Sequence, residues 1–197
     1  NSKKLIHYPC ASTATEYQVP KGIRIIGTRS FAGCSSLTSV TMQKGVTCIE
    51  EFAFGECSNL EQVFLPEGLA VIGKGAFFCC ENLGNITFPE GLTSIGERAF
   101  SSCEKMTSIV LPEGLDNIGE YAFSTCAYVT SITIPDSLTK IYGNPFVGCV
   151  SLSDFRLSPD HPVFAMSDGV VIDKKENKVV CCLDTFEITQ YQVPSGI

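Results

Sequence analysis

The chain repeats itself every 23 residues. "LPEGL" at 65–69 returns as "FPEGL" at 88–92, as "LPEGL" at 111–115 and loosely as "IPDSL" at 134–138. Three further rows keep that step: Cys34, Cys57, Cys80, Cys103, Cys126 and Cys149; Phe31, Phe54, Phe77, Phe100, Phe123 and Phe146; Ile26, Ile49, Ile72, Ile95, Ile118 and Ile141. Proline marks Pro20, Pro66, Pro89, Pro112 and Pro135, with Gln43 the exception. A catalytic site needs its residues once, whereas a scaffold needs them in every unit. A unit this short cannot bury its apolar side alone, so successive units must stack into a solenoid.

Each unit reads as two halves. In "LEQVFL", Leu60, Val63 and Leu65 are apolar, and the last two alternate as in a strand. Proline has no N–H for a ladder and ends the strand. Glycine follows, with the φ freedom of a sharp turn. The second half, "LAVIGKGAFFC", places Leu69, Ile72, Ala76 and Phe77 at spacings of three and four, which predicts a short helical segment on the same core. "PEGL" is then a corner between the halves. Stacked strands lie about 4.8 Å apart, so identical side chains should form ladders through the core.

The two ends match each other. Residues 4–23 align without gaps to 178–197, with Lys4, Thr15, Tyr17, Gln18, Val19, Pro20, Gly22 and Ile23 meeting identical residues 174 positions later. Between the arrays, Val170 to Asp173 and Lys178 to Cys182 flank the polar turn "KKEN", which predicts a β-hairpin insert. The expected organisation is a remnant of an earlier insert at 1–13, a repeat array at 14–157, the hairpin insert at 158–187 and the start of another array at 188–197. Leu5 and Ile6 are then expected to lack a hairpin partner. "NSKKLIHYPC" has neither initiator Met nor signal-peptide pattern, and "YQVPSGI" stops mid-repeat. The chain is therefore expected to be a piece of a longer protein, with any export signal outside it.

The pattern L-x-x-I-x-L-P-x-G-L-x-x-I-G-x-x-A-F-x-x-C resembles the BspA-type leucine-rich repeats over residues 14 to 157, and the resemblance resumes at 188. It implies a leucine-rich-repeat solenoid of α/β type, with a β-sheet on one face, short helical turns opposite and an inserted β-hairpin like that around "DGVVID". It also implies a secreted or wall-attached protein that adheres to host matrix proteins or other cells, without shared catalytic residues. Gln43, Glu50, Tyr142 and Pro145 depart from the pattern and blur single corners.

Eleven cysteines raise the question of metal or redox chemistry. Metal sites cluster their ligands, whereas the ladder offers one thiol per unit without a histidine beside it. Parallel Cβ vectors disfavour bridging between stacked turns. The ladder cysteines are thus expected to be buried free thiols filling a small slot. Cys10 and Cys48 have no ladder partner. In the adjacent pairs Cys79–Cys80 and Cys181–Cys182, one side chain should be buried and the other exposed. His7 and His161 are the only histidines and read as ordinary surface or hairpin residues. A thiol hydrolase built on Cys181 or Cys182 with His161 is the catalytic alternative. No glycine pattern matches a phosphate loop, and no cofactor is expected.

What varies is more informative than what repeats. The outward residues flanking the central strand position are Ser39, Gln62, Asn85, Ser108, Ser131 and Asp154 on one side, and Thr41, Phe64, Thr87, Val110, Thr133 and Arg156 on the other. The candidate binding face runs from Gln62 and Phe64 to Asp154 and Arg156, with Phe64 its one large apolar group. A solvated strand face is the plain alternative, since threonine is simply a good strand residue. The net charge of -7 repels phosphate backbones and argues against nucleic acid. No apolar run reaches the roughly 18 residues of a membrane span. The resulting expectation is a non-catalytic, extracellular or cell-surface protein, monomeric in solution, that binds an extracellular matrix or cell-surface protein. A spacer within a larger surface protein and an intracellular scaffold are the alternatives.

Overall fold

The computed structural model describes residues 3–183. Its backbone is a parallel β-solenoid with two rows of strands. Lys3–Leu5, Ile23–Ile26, Cys48–Ile49, Val71–Ile72, Ser94–Ile95, Asn117–Ile118 and Lys140–Ile141 form a seven-stranded sheet, one strand per turn. The other row is divided into two sheets: Glu16–Gln18, Ser39–Thr41 and Gln62–Phe64, then Ser108–Val110, Ser131–Ile134 and Asp154–Leu157. Registers such as Val40↔Val63 and Ile109↔Ile132 put equivalent residues side by side. The step of 23 therefore stacks each side chain on its own counterpart.

The phenylalanines show what this stacking builds. Phe31, Phe54, Phe77, Phe100 and Phe123 are fully buried. Successive ring centroids lie 4.7, 5.2, 5.1 and 5.4 Å apart. Centroid spacings of 4.5–7 Å suit attractive aromatic pairs. Ile26, Ile49, Ile72, Ile95 and Ile118 form a second buried row, and Leu69, Leu92, Leu115 and Leu138 of the corners a third.

The expected helical segments are not there: the described residues contain strands and turns but no helix. The three-and-four spacing of Leu69, Ile72, Ala76 and Phe77 is real, but the backbone meets it another way. The amides of Gly75, Phe77 and Cys79 donate forward to the carbonyls of Glu97, Ala99 and Ser101 on the next turn. Those of Ala76, Phe78 and Cys80 donate back to Gly73, Gly75 and Phe77. A helix would send every amide back four residues. Here alternate amides are given to the neighbouring turn, and two residues per turn sit at positive φ, such as Arg98 and Ser102 or Tyr121 and Thr125. Left-handed residues cannot propagate a right-handed helix.

The corner glycines divide: Gly22 and Gly45 take positive φ, as a sharp turn requires, whereas the later ones do not. Gly68, Gly91 and Gly114 are not among the residues at positive φ. A Cβ on Gly114 would instead lie 2.4 Å from the Glu90 carbonyl oxygen, and one on Gly91 would lie 2.9 Å from that of Glu67. At Gly91 and Gly114 the corner needs glycine because stacked turns approach closely there, whereas a Cβ on Gly68 would meet nothing within 4 Å. In the fourth copy Ser137 takes the place, and its hydroxyl donates to the Leu115 carbonyl at 2.7 Å.

Lys3–Leu5 has no antiparallel partner among the described residues. It lies parallel to Ile23–Ile26 and extends the seven-stranded sheet, with Leu5 buried and Ile6 exposed. The insert contains the pair Val170–Asp173 and Lys178–Cys182, joined by an additional strand, Phe164–Ser167. Asp168 and Gly169, both at positive φ, make the two-residue turn between the first two strands, the turn type that favours Asp-Gly in hairpins. Asn144 ties the insert to the array, donating from Nδ2 to the Cys182 carbonyl at 3.2 Å. The expected next array at 188–197 lies outside the described residues.

Candidate functional site

The divided row of strands is the candidate face. Its alternation puts Val40, Val63, Ile86, Ile109, Ile132 and Phe155 in the core. Gln62, Phe64, Asn85, Thr87, Val110, Thr133 and Arg156 are exposed, and Ser108, Ser131 and Asp154 are half-buried. Asp154 and Arg156 form an ion pair at one end. Phe64 is not the one large apolar group outside: it is 54% exposed, and Val110 is 69% exposed.

The division falls at Asn85–Thr87. In regular turns one backbone carbonyl holds two amides of the next turn; that of Thr38 accepts from Glu61 and Gln62 at 2.8 and 3.1 Å. The equivalent carbonyl two repeats further on belongs to Gly84. The Asn85 side chain takes over its role: Oδ1 accepts from the Thr107 and Ser108 amides at 2.8 and 3.2 Å, and Nδ2 donates to Thr107 Oγ1 at 2.9 Å. No ladder joins 85–87 to either neighbour. The bond from the Met42 amide to the Phe64 carbonyl has no counterpart one turn on among the described residues.

Two depressions flank Thr87. One is about 410 Å³ and is lined by Phe64, Leu65, Glu67, Asn85 and Pro89. The other is about 580 Å³ and is lined by Phe88, Glu90, Ser108, Val110 and Glu113. Small-molecule sites have such volumes but enclose their ligand; these lie open on a sheet, in the manner of a macromolecular contact surface.

The cysteine row supports the core rather than a reaction. The thiols of Cys57, Cys80, Cys103, Cys126 and Cys149 donate to the carbonyls of Phe31, Phe54, Phe77, Phe100 and Phe123, at 2.9 to 3.2 Å. Cys34 departs from the expected row of free thiols. It is bridged to Cys10, with Cα atoms 4.4 Å apart. The pair is 24 residues apart rather than 23, so Cys10 is off the repeat position and escapes the parallel Cβ geometry that disfavours bridging. Cys181 is buried and Cys182 exposed, while Cys80 is buried and Cys79 half-buried. Among the described residues no group of three or more His, Cys, Asp or Glu could hold a metal ion. No helix there is long and apolar enough to cross a membrane.

His161 is neither a surface residue nor free to act as a base. It is fully buried. Nδ1 accepts from the amides of Val163 and Phe164 at 3.2 and 3.0 Å. Nε2, which must then carry the proton, donates to the Pro135 carbonyl at 3.1 Å. Both ring nitrogens are spent on structure, so the pairing of His161 with Cys181 or Cys182 for hydrolysis has no proton acceptor.

Burial lifts the thiols of Cys103 and Cys126 above their ordinary value and pushes Cys181 up to about 12. An unfolded chain releases thiol protons from about pH 8.5 upward, whereas the folded chain keeps these three. The folded state therefore holds more protons in alkali, and stability falls as pH rises above that value. Denaturant midpoints at pH 7, 9 and 10 should decline in that order. A thiol reagent at pH 7.5 should modify Cys182 promptly and reach Cys103, Cys126 and Cys181 only on unfolding.

A profile of the BspA type leucine-rich repeat region matches in 6 copies, over residues 7–112 and 93–164. The chain belongs to the BspA-type leucine-rich-repeat family. Members are repeat proteins used for protein–protein interaction, and no enzymatic family is indicated. A leucine-rich-repeat protein of T. pallidum is 31% identical, with a TM-score of 0.74, over 78% of this chain and 73% of that one. One from Bacteroides ovatus is 27% identical, with a TM-score of 0.59, over 72% of this chain. A leucine-rich cell surface protein of Faecalibacterium prausnitzii is 29% identical, with a TM-score of 0.55, over 79% of this chain. The chain spans only 45% and 35% of the lengths of the latter two. No curated protein matches it.

Proposed function

We propose that this BspA-type chain is an adhesive segment of a bacterial-type surface or secreted protein, and that it holds an extracellular matrix or cell-surface protein on the face from Gln62 to Arg156. The observation that carries this reading is the exposed strip Phe64, Thr87 and Val110 at the break in the sheet. Interface centres favour aromatic anchors and few charges. The cell-surface relative from Faecalibacterium prausnitzii supports the location. So does the Cys10–Cys34 bridge, since disulfides persist in oxidising compartments.

The test is binding of the chain to a panel of immobilised matrix proteins and cell-surface glycans, beside a Phe64→Ser, Val110→Ser variant. Binding to a matrix protein is expected to weaken about tenfold or more in the variant, as for loss of hot-spot anchors. Binding that the variant leaves unchanged would move recognition to the insert or the opposite face. No binding to any panel member would favour the spacer alternative.

A further inference from the structure

The row of corners beside the face carries a charge pattern that the fold does not use. At the residue after the corner proline, or its counterpart, the repeat has Lys21, Lys44, Glu67, Glu90, Glu113 and Asp136. The sign changes once, and four acids then follow on consecutive turns. Glu67 lines the first depression beside Thr87, and Glu90 and Glu113 line the second. All four acids are exposed. None takes part in an ion pair; the described carboxylates that do are Glu50, Glu97 and Asp154. Like charges stacked at a spacing of roughly 5 Å repel one another, and a scaffold gains nothing from the arrangement.

We propose that the interrupted sheet between Phe64 and Val110 receives an extended, lysine- or arginine-bearing segment of a partner protein. This rests on the sheet face being the binding surface. Three features converge there. Exposed Phe64 and Val110 offer apolar contact on either side of Thr87. The ladder is open at 85–87, and two depressions of the face meet there, giving an extended chain a recess to lie in. The acidic corners run along the same depressions and complement cationic side chains. The same rim disfavours anionic glycans and nucleic acids, and a net charge of -7 disfavours a second copy of this chain.

The probe is a fluorescent ten-residue peptide alternating lysine with threonine and phenylalanine, compared with its glutamate counterpart by anisotropy against the full chain. The lysine peptide should bind and the glutamate peptide should not. Raising NaCl from about 0.05 to 0.3 M should weaken binding about tenfold, because exposed charges are screened. A Glu90→Gln, Glu113→Gln variant should lose about fivefold, and the Phe64→Ser, Val110→Ser variant should lose binding to the same peptide. Thermal unfolding of each variant checks the fold. Equal binding of both peptides, or no effect of the glutamine variant, overturns the basic partner. If the serine variant still loses binding in that case, the sheet face survives as the contact surface. If the serine variant binds the lysine peptide normally, the segment lies elsewhere and both readings fall.

Discussion

Phe100→Ala is expected to destabilise the chain by about 3 to 5 kcal/mol, the range for truncating a buried phenylalanine. Phe100 is fully buried, stacked between Phe77 at 5.1 Å and Phe123 at 5.4 Å, with Phe88 against its edge at 5.5 Å. Removing the ring takes contacts from three neighbours at once. The rings of Phe77 and Phe123 cannot close the gap, because each is fixed by its own turn. A repeat array is held together by interfaces between nearest turns, so a fault in the middle also loosens the coupling of the two halves. The natural total is about 5 to 15 kcal/mol, and a loss of this size is a large share of it. Urea unfolding followed by circular dichroism measures the effect. Phe100→Leu, which fills part of the space, should lose about half as much. A loss under about 1 kcal/mol for the alanine variant would show that the ring stack does not hold the turns together.

That stack was legible in the sequence because a solenoid turns sequence period directly into spatial neighbourhood. Phe77 and Phe100 are 23 residues apart and therefore one turn apart. The same logic placed the central strand residues inward and Phe64 outward. It could not give the backbone path through "GKGAFFC". Apolar spacings of three and four suit a helix and equally suit a run of tight turns. What separates them is which amides go to the neighbouring turn, a property of stacked chains rather than of one segment. The added strand Phe164–Ser167 does have a signal, since "SDG" before Val170 carries an Asp-Gly turn. The polar turn "KKEN" marks only the second of the two turns in the insert.

The interruption of the candidate face has the opposite character. Gly84 and Asn85 are unremarkable in a single repeat. Only against the neighbouring turns does Asn85 Oδ1 occupy the place of a ladder carbonyl. The Cys10–Cys34 bridge was equally hidden, since Cys10 falls one residue off the repeat step.

His161→Ala is expected to cost about 3 kcal/mol or more, because three buried backbone groups lose their partner and each unsatisfied group costs about 1 to 3 kcal/mol. Nothing in the sequence around His161 distinguishes it from an ordinary histidine, yet its ring bolts the insert to the array. Nε2 reaches the carbonyl of Pro135, a corner residue of the array, while Nδ1 holds the amides that lead into Phe164–Ser167. Lys174 then secures the loop from outside: its amide donates to the Val163 carbonyl at 2.9 Å, and its ammonium to the His161 carbonyl. Alanine leaves the Pro135 carbonyl and both amides unpaired, and a void where the ring stood. The damage should be local first. Hydrogen exchange at Val163, Phe164 and Lys174 should accelerate, while the Phe54 to Phe123 turns keep their protection. His161→Gln offers one acceptor and one donor, so it should recover about half the loss if the hydrogen bonds, rather than the ring's bulk, hold the insert in place. An alanine variant within about 0.5 kcal/mol of the parent, with unchanged exchange at Val163 and Phe164, would show that the insert docks without this contact.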